Sequence, residues 1–570
     1  MERRGVIERA LGLCGRDLPL ESTEGFDLGL FIIQFLEEAS ASQSLETRLC
    51  LAWLLVFGSY PKLQEWELLS HHFKVLGAPQ AIEWLIKTPQ FKELIRTNPK
   101  IKLFAPAKNA VFFDASHTIG YPFNTGIQRV VRKLAESLQL NDQVVFFRFD
   151  PKTNQPRILT QGETRQLLHF HLVQADHSSF LESCKDFLGL GFSFLRNVLA
   201  ATVSQIRDET RYSSKGTSIR LIKAAFSKWE QLRESAWVKW FYRRSWGKTH
   251  EIETLVLVNS LVLLPEIVTE AKRVDSYLML RRSGSVGKIS AVIYDLIPLI
   301  YPELCVVVKP FVDYALLFRV IDHGLCISKS VEEDLRAFLR LVPREVPKPM
   351  QLSTVYLAGD FKASDAAGLK SDQVENELLC VGTFEPRKNH VSLLRAGYIL
   401  HKKGLRFKIN FVGNPGWRAN QFFSELAVLD PSGEFTCIKK SVSDDELNVL
   451  YSRARLSVFV SLSEGFGLPI LEAISRGTPV ITSNRGCMKE LAEICGGVVT
   501  VDPIDVDAIA GLVEQLLFDD LKYQELKRAV RVGYDQTWAS YARVLLNSLS
   551  ASPGLETRID NAIVKTVALE

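Results

Sequence analysis

The sequence of 570 residues has little net charge. Its 69 lysines and arginines nearly balance 65 aspartates and glutamates, which leaves a formal charge of +4. No stretch combines basic and aromatic residues in the pattern of an RNA-binding motif. The charge distribution therefore gives no support to a nucleic-acid partner.

The sequence also lacks a long uninterrupted hydrophobic segment. The richest apolar stretch, Leu255 to Val268, contains Asn259, Ser260 and Pro265. It falls short of the roughly 20 apolar residues that a membrane-spanning helix needs. The first five residues are charged and carry no apolar signal core. We therefore expect a cytoplasmic protein.

Cysteines are few and show no pairing pattern. Their number is odd and none has the spacing of a metal site, so they are interpreted as buried thiols in a reducing compartment: Cys14, Cys50, Cys184, Cys305, Cys326, Cys380, Cys437, Cys487 and Cys495.

The length predicts several domains, and the first, residues 1–108, has helical periodicity. Trp53, Trp66 and Trp84 are interpreted as its core, and a face for a partner protein is the alternative. Helices are predicted at Phe26 to Ala39, Leu45 to Phe57, Leu63 to Leu76 and Ile82 to Lys87.

Two series of short apolar strands alternate with helical segments, which indicates an α/β protein with two parallel, doubly wound sheets. We assign the first series to residues 109–365 and the second to 366–535, with a hinge within Gly359 to Gln373 and a ligand cleft between the domains. A helical run from Asp520 to Leu549 and a tail extend to residue 570. The first series comprises Ala110 to Asp114, Val144 to Phe149, Thr254 to Leu264, Ile289 to Asp295, Gly324 to Ser328 and Ser353 to Leu357. The second comprises Glu377 to Val381, Lys408 to Val412, Phe435 to Lys439, Leu456 to Val460, Pro479 to Thr482 and Val498 to Val501.

The most informative motif is Ser463 to Glu472, in which two glutamates stand eight positions apart. It follows a predicted strand and contains a glycine loop and a helix start at Pro469, an arrangement that directs backbone N–H groups at a phosphate. Glu464 would lie on the loop and Glu472 in the first helical turn. One carboxylate could then meet a group beyond the phosphate and the other a vicinal diol such as a ribose.

A second motif runs from Gly382 to His390 and contains Arg387 and Lys388 directly after a predicted strand. Ligands bind beyond the carboxyl ends of strands in doubly wound sheets. Two adjacent cations at this position could neutralise a diphosphate without a metal ion.

These two motifs and the turn Val412 to Trp417 resemble those of the family 4 glycosyltransferases, retaining enzymes of the GT-B fold that use a nucleotide-sugar donor. The resemblance implies that Glu464 hydrogen-bonds the donor sugar, Glu472 binds the ribose, and Arg387 with Lys388 stabilises the departing diphosphate. It further implies a C-terminal helix (within residues 536–570) that crosses back to the first domain, no metal cofactor, and a mannose-like donor with a glycan or lipid-linked acceptor in bacterial polysaccharide or O-antigen synthesis. The remaining donor-binding residues would be Gly382, Gly413, Gly465, Phe466, Gly467 and Leu468.

The resemblance further implies that residues 109–365 form the acceptor domain and residues 366–535 the donor domain. In the first of these it singles out Asp295 as catalytic and the loop residues Thr125 and Gly126 as facing the donor phosphates and the acceptor. Many relatives have a histidine before this aspartate, and this chain has Tyr294. Structural alternatives are a turn cap for Asp295, a helix cap for Thr125 and a helix-dipole contact for Glu472.

Several other signals are interpreted as structural. Asp505 and Asp507 stand at a predicted helix start, and the histidines at 169, 171 and 177 lack a completing metal ligand. Ser330 and Ser443 each begin a capping-box pattern.

A basic, aromatic-rich helical insert of about residues 185–250 suits either an anionic membrane surface, with peripheral contact at the inner face, or a solvated helical face. The alternatives to a transferase are a GT-B sugar-nucleotide epimerase and a catalytically silent membrane or assembly component.

Overall fold

The computed structural model describes residues 44–57, 59–76, 84, 88, 103–104, 110–121, 126–170, 254–257, 260–306, 308–346, 348–358, 376–533 and 537–550. By contacts the chain divides into two compact units, residues 1–160 with 254–570 and residues 161–253. Several predicted features lie outside the described residues: the helix Phe26 to Ala39, most of the helix Ile82 to Lys87, Thr125, the basic insert, the hinge and the tail after Ser550.

The larger unit contains two sheets, and we call its described residues up to 358 the first half and those from 376 the second half. The first half begins with two helices at the predicted bounds, α1 (Leu45–Phe57) and α2 (Leu63–Leu76). Trp53 and Trp66 are buried as predicted, while Trp84 stacks on His72 with ring centroids 4.5 Å apart. The Thr47 hydroxyl donates to the carbonyl of Gly284 (3.1 Å), so α1 is fastened to the body of the first half.

The first sheet has seven strands in the order β4-β3-β2-β6-β7-β8-β9, and all neighbours are parallel except β4 with β3. The sequence predicts the run Thr254 to Leu264 as one strand, but it is divided between β6 and a separate two-stranded pair, β1 with β5. Strand order reverses between β2 and β6, which makes this the switch point of the sheet. The strands are β1 (Leu103–Phe104), β2 (Val111–Asp114), β3 (Val144–Phe149), β4 (Pro156–Ile158), β5 (Thr254–Leu255), β6 (Ser260–Leu264), β7 (Val286–Ile293), β8 (His323–Cys326) and β9 (Gln351–Thr354).

Helices connect these strands, as expected for a parallel sheet. They are α3 (Ser116–Gly120), α4 (Gly126–Leu138), α5 (Gln161–Leu168), α6 (Ala271–Arg282), α7 (Ile297–Ile300), α8 (Lys309–Ala315) and α9 (Lys329–Leu339). Of these, α5 belongs to the smaller unit.

The second sheet has six parallel strands in the order β12-β11-β10-β13-β14-β15, with its switch point between β10 and β13. Three strands have the predicted bounds because buried parallel strands appear in a sequence as continuous apolar runs: β10 (Glu377–Val381), β11 (Lys408–Val412) and β15 (Val498–Val501). The others differ from prediction by one residue at one or both ends: β12 (Thr436–Lys439), β13 (Leu456–Phe459) and β14 (Val480–Ser483). Two doubly wound sheets in one chain confirm the predicted α/β class and match the GT-B architecture.

The helices of the second half are α10 (His390–Lys402), α11 (Ala419–Leu429), α12 (Asp444–Arg453), α13 (Leu468–Ser475), α14 (Gly486–Ile494), α15 (Val506–Phe518), α16 (Asp520–Arg528) and α17 (Trp538–Ser550). The prediction of one long final helix is wrong. Arg531 pairs through its backbone with Gly496 (3.0 and 3.1 Å), which ends the helical path between α16 and α17. Helix α17 then packs against α4 of the first half.

Two glycines of the second half differ in whether a side chain would fit at their position. A Cβ on Gly413, at the end of β11, would lie 1.9 Å from the carbonyl oxygen of Gly382, whereas a Cβ on Gly511 in α15 would meet no atom within 4 Å. We therefore expect Gly413→Ala to destabilise the protein by roughly 3 kcal/mol through a backbone clash. Gly511→Ala should stabilise it by roughly 0.5–1 kcal/mol through helix propensity.

Thermal unfolding of both variants and the wild type tests this pair. A Gly413→Ala protein that melts with the wild type would show that the two strand ends can separate without cost.

Candidate active site

The loop between β13 and α13 carries Glu464, and its shape depends on glycine. Gly467 has a φ of +107°, in the left-handed region where glycine is favoured. Helix α13 begins at Leu468, so Pro469 is its second residue rather than its first as predicted. Because the loop follows β13, Glu464 lies beyond the carboxyl end of that strand, on one side of the switch point of the second sheet.

Arg387 and Lys388 lie on the other side of the same switch point, directly after β10. Arg387 Nη1 donates to Glu464 Oε2 (2.6 Å) and Lys388 Nζ donates to Glu464 Oε1 (2.7 Å). The structure thus brings together three of the four residues predicted as catalytic. Each carboxylate oxygen of Glu464 accepts a hydrogen bond from one of the two cations.

Burial and charge oppose each other at Glu464, whose side chain is 9% exposed. Burial raises the pKa of its carboxyl, but Lys388 and Arg387 outweigh burial and lower that pKa to about 2. Burial likewise lowers the pKa of the Arg387 guanidinium, and the carboxylates of Glu464 and Glu385 more than compensate. Glu464 is therefore an anion at neutral pH and cannot act as a proton donor there.

Asn389 holds the two cations in place, a role that the sequence interpretation missed. It adopts a left-handed conformation (φ 56°) directly after the 3₁₀ turn Pro386–Lys388. Its side-chain amide donates to the carbonyls of Val460 (3.0 Å) and Pro503 (2.7 Å). Asparagine tolerates this conformation better than most residues, and that preference was the available signal.

Asp295, the fourth residue predicted as catalytic, follows β7 in the first half. The pKa of its carboxyl is raised, mainly by burial, and Arg387 offsets this only in part, while Glu464 raises it further. These charges place Asp295 in the same electrostatic cluster. Asp295 Oδ1 also accepts the backbone N–H of Ile297 (3.1 Å), so the predicted turn cap is present too. The neighbouring phenol of Tyr294 donates to the carbonyl of Pro265 (2.7 Å) and is buried, so it is not directed at a sugar.

The first half approaches the glutamate loop closely. A Cβ on Gly465 would lie 2.1 Å from the carbonyl oxygen of Tyr294. Ser328 Oγ donates to the carbonyl of Gly465 (2.9 Å) and accepts the backbone N–H of Val331 (3.2 Å), so it also caps α9. The predicted cap at Ser330 is wrong, because α9 begins one residue before it.

Glu472 lies in the second turn of α13, because the helix begins one residue earlier than predicted. The helix-dipole interpretation is weakened by this position. Glu472 Oε2 accepts a hydrogen bond from the hydroxyl of Tyr451 (3.0 Å). Its Oε1 accepts one from Nη1 of Arg129 in α4 (3.2 Å). Neither partner was predicted, since both contacts join residues that are distant in sequence.

The remaining predicted donor-binding residues surround this cluster. Gly382 and Gly413 directly follow β10 and β11, Phe466 is buried, and Leu468 is the first residue of α13. Gly126 opens α4, the helix that carries Arg129. At the start of α13, Pro469 has no backbone N–H, and the N–H of Ile470 donates to the carbonyl of Gly467 (2.9 Å).

Two of the other signals interpreted as structural, Asp505 and Ser443, are helix caps. Asp505 caps α15 by accepting the N–H of Ala508 (2.9 Å), and Ser443 caps α12 by accepting that of Glu446 (3.2 Å). His171 and His177 lie outside the part that the structure describes. Within that part, no group of three or more His, Cys, Asp or Glu side chains is placed to hold a metal ion, and no helix is long and apolar enough to cross a membrane.

Comparison with known proteins identifies the class to which this site belongs. The profile of the family described as Glycosyl transferases group 1 matches residues 362–532. The chain therefore carries a glycosyltransferase group 1 domain, which contains Arg387, Lys388, Glu464 and Glu472. This confirms the resemblance to glycosyltransferases, while the assignment to family 4 stays a prediction.

Several of the similar proteins are bacterial mannosyltransferases. The chain is 31% identical over 245 residues to the serotype-specific mannosyltransferase WbdA of Escherichia coli, a match that covers 40% of this chain and 29% of the relative. It is 38% identical over 143 residues to the O-antigen chain mannosyltransferase B of Escherichia coli, which covers 25% of this chain and 37% of that relative. The chain thus matches only about a third of the length of these relatives.

Among solved structures, Anabaena Alr3699/HepE in complex with UDP and glucose is similar over 78% of this chain and 100% of that chain, with 13% identity and a TM-score of 0.46. The fold itself is defined by the strand orders of the two sheets.

The ion pairs of Glu464 generate a pH prediction. The pKa of Glu464 is lowered from 4.5 to about 2, so its pairing contributes stability that is complete above pH 4.5 and is lost as the pH falls toward 2. We expect Glu464→Gln to be less stable than the wild type by roughly 3 kcal/mol at pH 7. The difference should shrink below pH 4.5.

Urea unfolding at pH 7, 5, 4 and 3 measures this difference. Glu425→Gln is the matched control, since Glu425 pairs with Arg395 at an exposed position and should change stability by less than about 1 kcal/mol. A gap between Glu464→Gln and wild type that is the same at every pH would contradict the assignment.

Proposed function

We propose that this protein is a retaining glycosyltransferase of the GT-B fold that moves a mannose-like hexose from a nucleoside-diphosphate sugar to a glycan or lipid-linked acceptor in polysaccharide synthesis. The observation that carries the proposal is the meeting of Arg387, Lys388 and Glu464 at the switch point of the second sheet, beside Asp295. The mannosyltransferase relatives support the sugar and the biological role.

The charges around Arg387 support a mechanism in which the donor exchanges partners within the cluster. Arg387 donates to Glu464 and to Glu385 (2.8 Å to the latter), and Lys388 donates to Glu464. Two cations thus face three carboxylates, counting Asp295. A diphosphate must therefore compete with Glu464 for the cations, and Glu464 is then released to accept a hydroxyl of the sugar.

The reaction breaks the bond between the anomeric carbon and the phosphate oxygen, and its electron pair moves onto the diphosphate. Arg387 and Lys388 are fixed where this charge develops and lower the barrier. The acceptor oxygen bonds to the anomeric carbon on the face that the diphosphate leaves, and its proton passes to a phosphate oxygen. No protein nucleophile and no metal ion take part in this proposal.

Glu472 is proposed to bind the ribose. Tyr451 is buried and holds one carboxylate oxygen, so the orientation of Glu472 is fixed before the donor arrives. The diol then competes with Arg129 for the other oxygen, since the side chain of Arg129 is 45% exposed and its ion pair is weak.

Location and membrane contact are also proposals. We infer action in the cytoplasm, with peripheral contact at the inner face of the membrane through the basic insert of residues 185–250, which lies beyond the residues that the structure describes. Sedimentation with anionic vesicles, with and without this segment, tests the contact, and equal binding of both proteins would exclude it.

Removing either charged partner should slow transfer strongly, while the protein still folds, although with lower stability. We expect Lys388→Ala and Glu464→Ala each to lower the turnover number by about 10²–10³, the usual effect of losing one preorganised electrostatic contact to a transition state. Lys403→Ala is the control, because Lys403 pairs with exposed Glu514 in the same half (2.6 Å) and should leave turnover unchanged.

The measurement is release of nucleoside diphosphate from guanosine, uridine and thymidine diphosphate sugars, with and without acceptor. An epimerase would convert the sugar without releasing diphosphate, and a silent component would do neither. Turnover near the wild-type value in Lys388→Ala or Glu464→Ala would remove these residues from the mechanism.

Removing the charge of Glu385 should strengthen the binding of a nucleoside diphosphate. Its carboxylate accepts from Arg387 and repels an incoming diphosphate. Glu385→Gln keeps an acceptor for Arg387 but removes the charge, and we expect about three- to tenfold tighter binding of a nucleoside diphosphate. Isothermal titration measures this, and weaker binding would show that the charge of Glu385 is needed to orient Arg387.

A further inference from the structure

The first turn of helix α9, in the first half, is capped by a side chain of the second half. The carboxylate of Glu490, in α14, accepts the backbone N–H groups of Lys329 (2.9 Å) and Ser330 (3.3 Å), the first two residues of α9. Such N–H groups have no partner within their own helix, and an anion at this end also meets the positive pole of the helix dipole. The proposed mechanism gives no role to Glu490.

Tyr356, which follows β9 in the first half, orients the same carboxylate. Its hydroxyl donates to Glu490 Oε1 (2.6 Å), and its ring centroid lies 6.4 Å from that of Phe466 in the second half. Burial and the hydrogen bond to Glu490 raise the pKa of this hydroxyl above its ordinary value, so the hydroxyl stays a donor at neutral pH. Glu490 therefore accepts three hydrogen bonds from described residues of the first half.

Helices α9 and α14 also hold the backbone of the loop that carries Glu464. The hydroxyl of Ser328, the residue before α9, donates to the carbonyl of Gly465 (2.9 Å). The thiol of Cys487, in the first turn of α14, donates to the carbonyl of Glu464 (3.1 Å). Two consecutive carbonyls of the loop are thus fixed by the starts of two helices. Glu490, one turn after Cys487, joins those two helices to each other.

The contacts between these segments are close and largely buried. Ser328 is 1% exposed and Cys487 is fully buried. Helix α14 begins at Gly486, where φ is +51° and a Cβ would lie 3.2 Å from Ser330 Oγ. A buried carbonyl that loses its donor costs free energy, because no water replaces the lost hydrogen bond. The two helix starts and the loop should therefore keep their relative positions as a unit.

The position of this loop affects the transfer step more than the binding of the diphosphate. In the proposed mechanism, Glu464 accepts a sugar hydroxyl while Asp295 faces the site from the first half. A small displacement of groups around a reacting bond lowers the rate strongly. Arg387 and Lys388, which would hold the diphosphate, lie on a separate segment of the second half, the 3₁₀ turn after β10.

We propose that Glu490 is a positioning residue for sugar transfer. By capping α9 from the second half, it holds the loop of Glu464 in place relative to Asp295. It acts through Ser328 and Cys487 and touches neither substrate. This inference rests on the proposed transferase function.

The test compares the turnover and binding of Glu490→Ala with those of the wild type, both as full-length proteins. We expect the turnover number for guanosine, uridine or thymidine diphosphate sugars to fall about tenfold, since the reacting groups are misplaced. The Kd of the matching nucleoside diphosphate and the binding stoichiometry, both from isothermal titration, should stay within about twofold, since the cations that bind it are intact. A purely structural defect would instead lower stoichiometry and turnover together.

Two conservative variants sharpen this comparison. Glu490→Gln keeps a carbonyl oxygen that can accept from α9, so it should recover most of the lost turnover. Tyr356→Phe keeps the ring beside Phe466 and removes only the hydroxyl that orients Glu490, so it should lower turnover about threefold.

Glu493→Ala is the matched control, because Glu493 lies on the same helix, is 68% exposed and pairs with Lys489 at 3.9 Å. It should leave turnover, Kd and stoichiometry unchanged. Wild-type turnover in Glu490→Ala, or a Kd that rises as much as turnover falls, would overturn the positioning role.

Hydrogen–deuterium exchange separates failure of this inference from failure of the proposed function. Glu490→Ala should speed exchange both in the first turn of α9 and in the loop of residues 463–467, while Glu493→Ala changes neither. Faster exchange in both segments supports the coupling even if the wild type transfers no sugar. Wild-type transfer together with unchanged loop exchange in Glu490→Ala leaves the transferase function intact and excludes the positioning role.

Discussion

The double ion pair of Glu464 with Arg387 and Lys388 is the interaction on which the second half depends. It joins the two strands that flank the switch point of the second sheet, and it is almost completely buried. A buried carboxylate with one cation on each oxygen is stable only while all three groups stay in place, because losing one partner leaves a desolvated charge uncompensated. In the proposed mechanism, a phosphate of the donor replaces the same contacts that hold the loop together.

The first half completes this site through backbone proximity as much as through side chains. Gly465 and the carbonyl of Tyr294 are so close that no side chain fits between them, and Ser328 bonds to the same glycine. This arrangement brings Asp295 into the field of Arg387 without a direct bond between them. Glycine at position 465 thus permits the close approach of the two halves.

Much of the fold could be predicted from the sequence because both sheets are buried on two faces. Glu377 to Val381 and Val498 to Val501 are short apolar runs between turn residues, and the structure gives them the same bounds. The final helix was mispredicted because its interruption depends on a backbone pair between Arg531 and Gly496, which helical periodicity does not reveal. The division of the run from Thr254 to Leu264 likewise depends on strand partners rather than on local pattern.

The sequence allowed prediction of the site residues that lie in local motifs at strand ends. It did not allow prediction of partners that are distant in sequence. Arg387, Lys388 and Glu464 follow strand ends, and parallel topology brings such positions together. Arg129 and Tyr451 contact Glu472 from α4 and α12, and no local sequence spacing predicts these contacts. The roles of all these residues in catalysis stay predictions that the transfer assays address.

The return of helix α17 to the first half has a mechanical consequence. The chain passes from the first half to the second between residues 358 and 376, and it comes back through α17, which packs on α4. The helix α4 thus has two contacts with residues that follow the first half in the chain, because it packs against α17 and its Arg129 donates to Glu472 (3.2 Å). A change that displaced α17 from α4 would therefore also disturb the partner of Glu472.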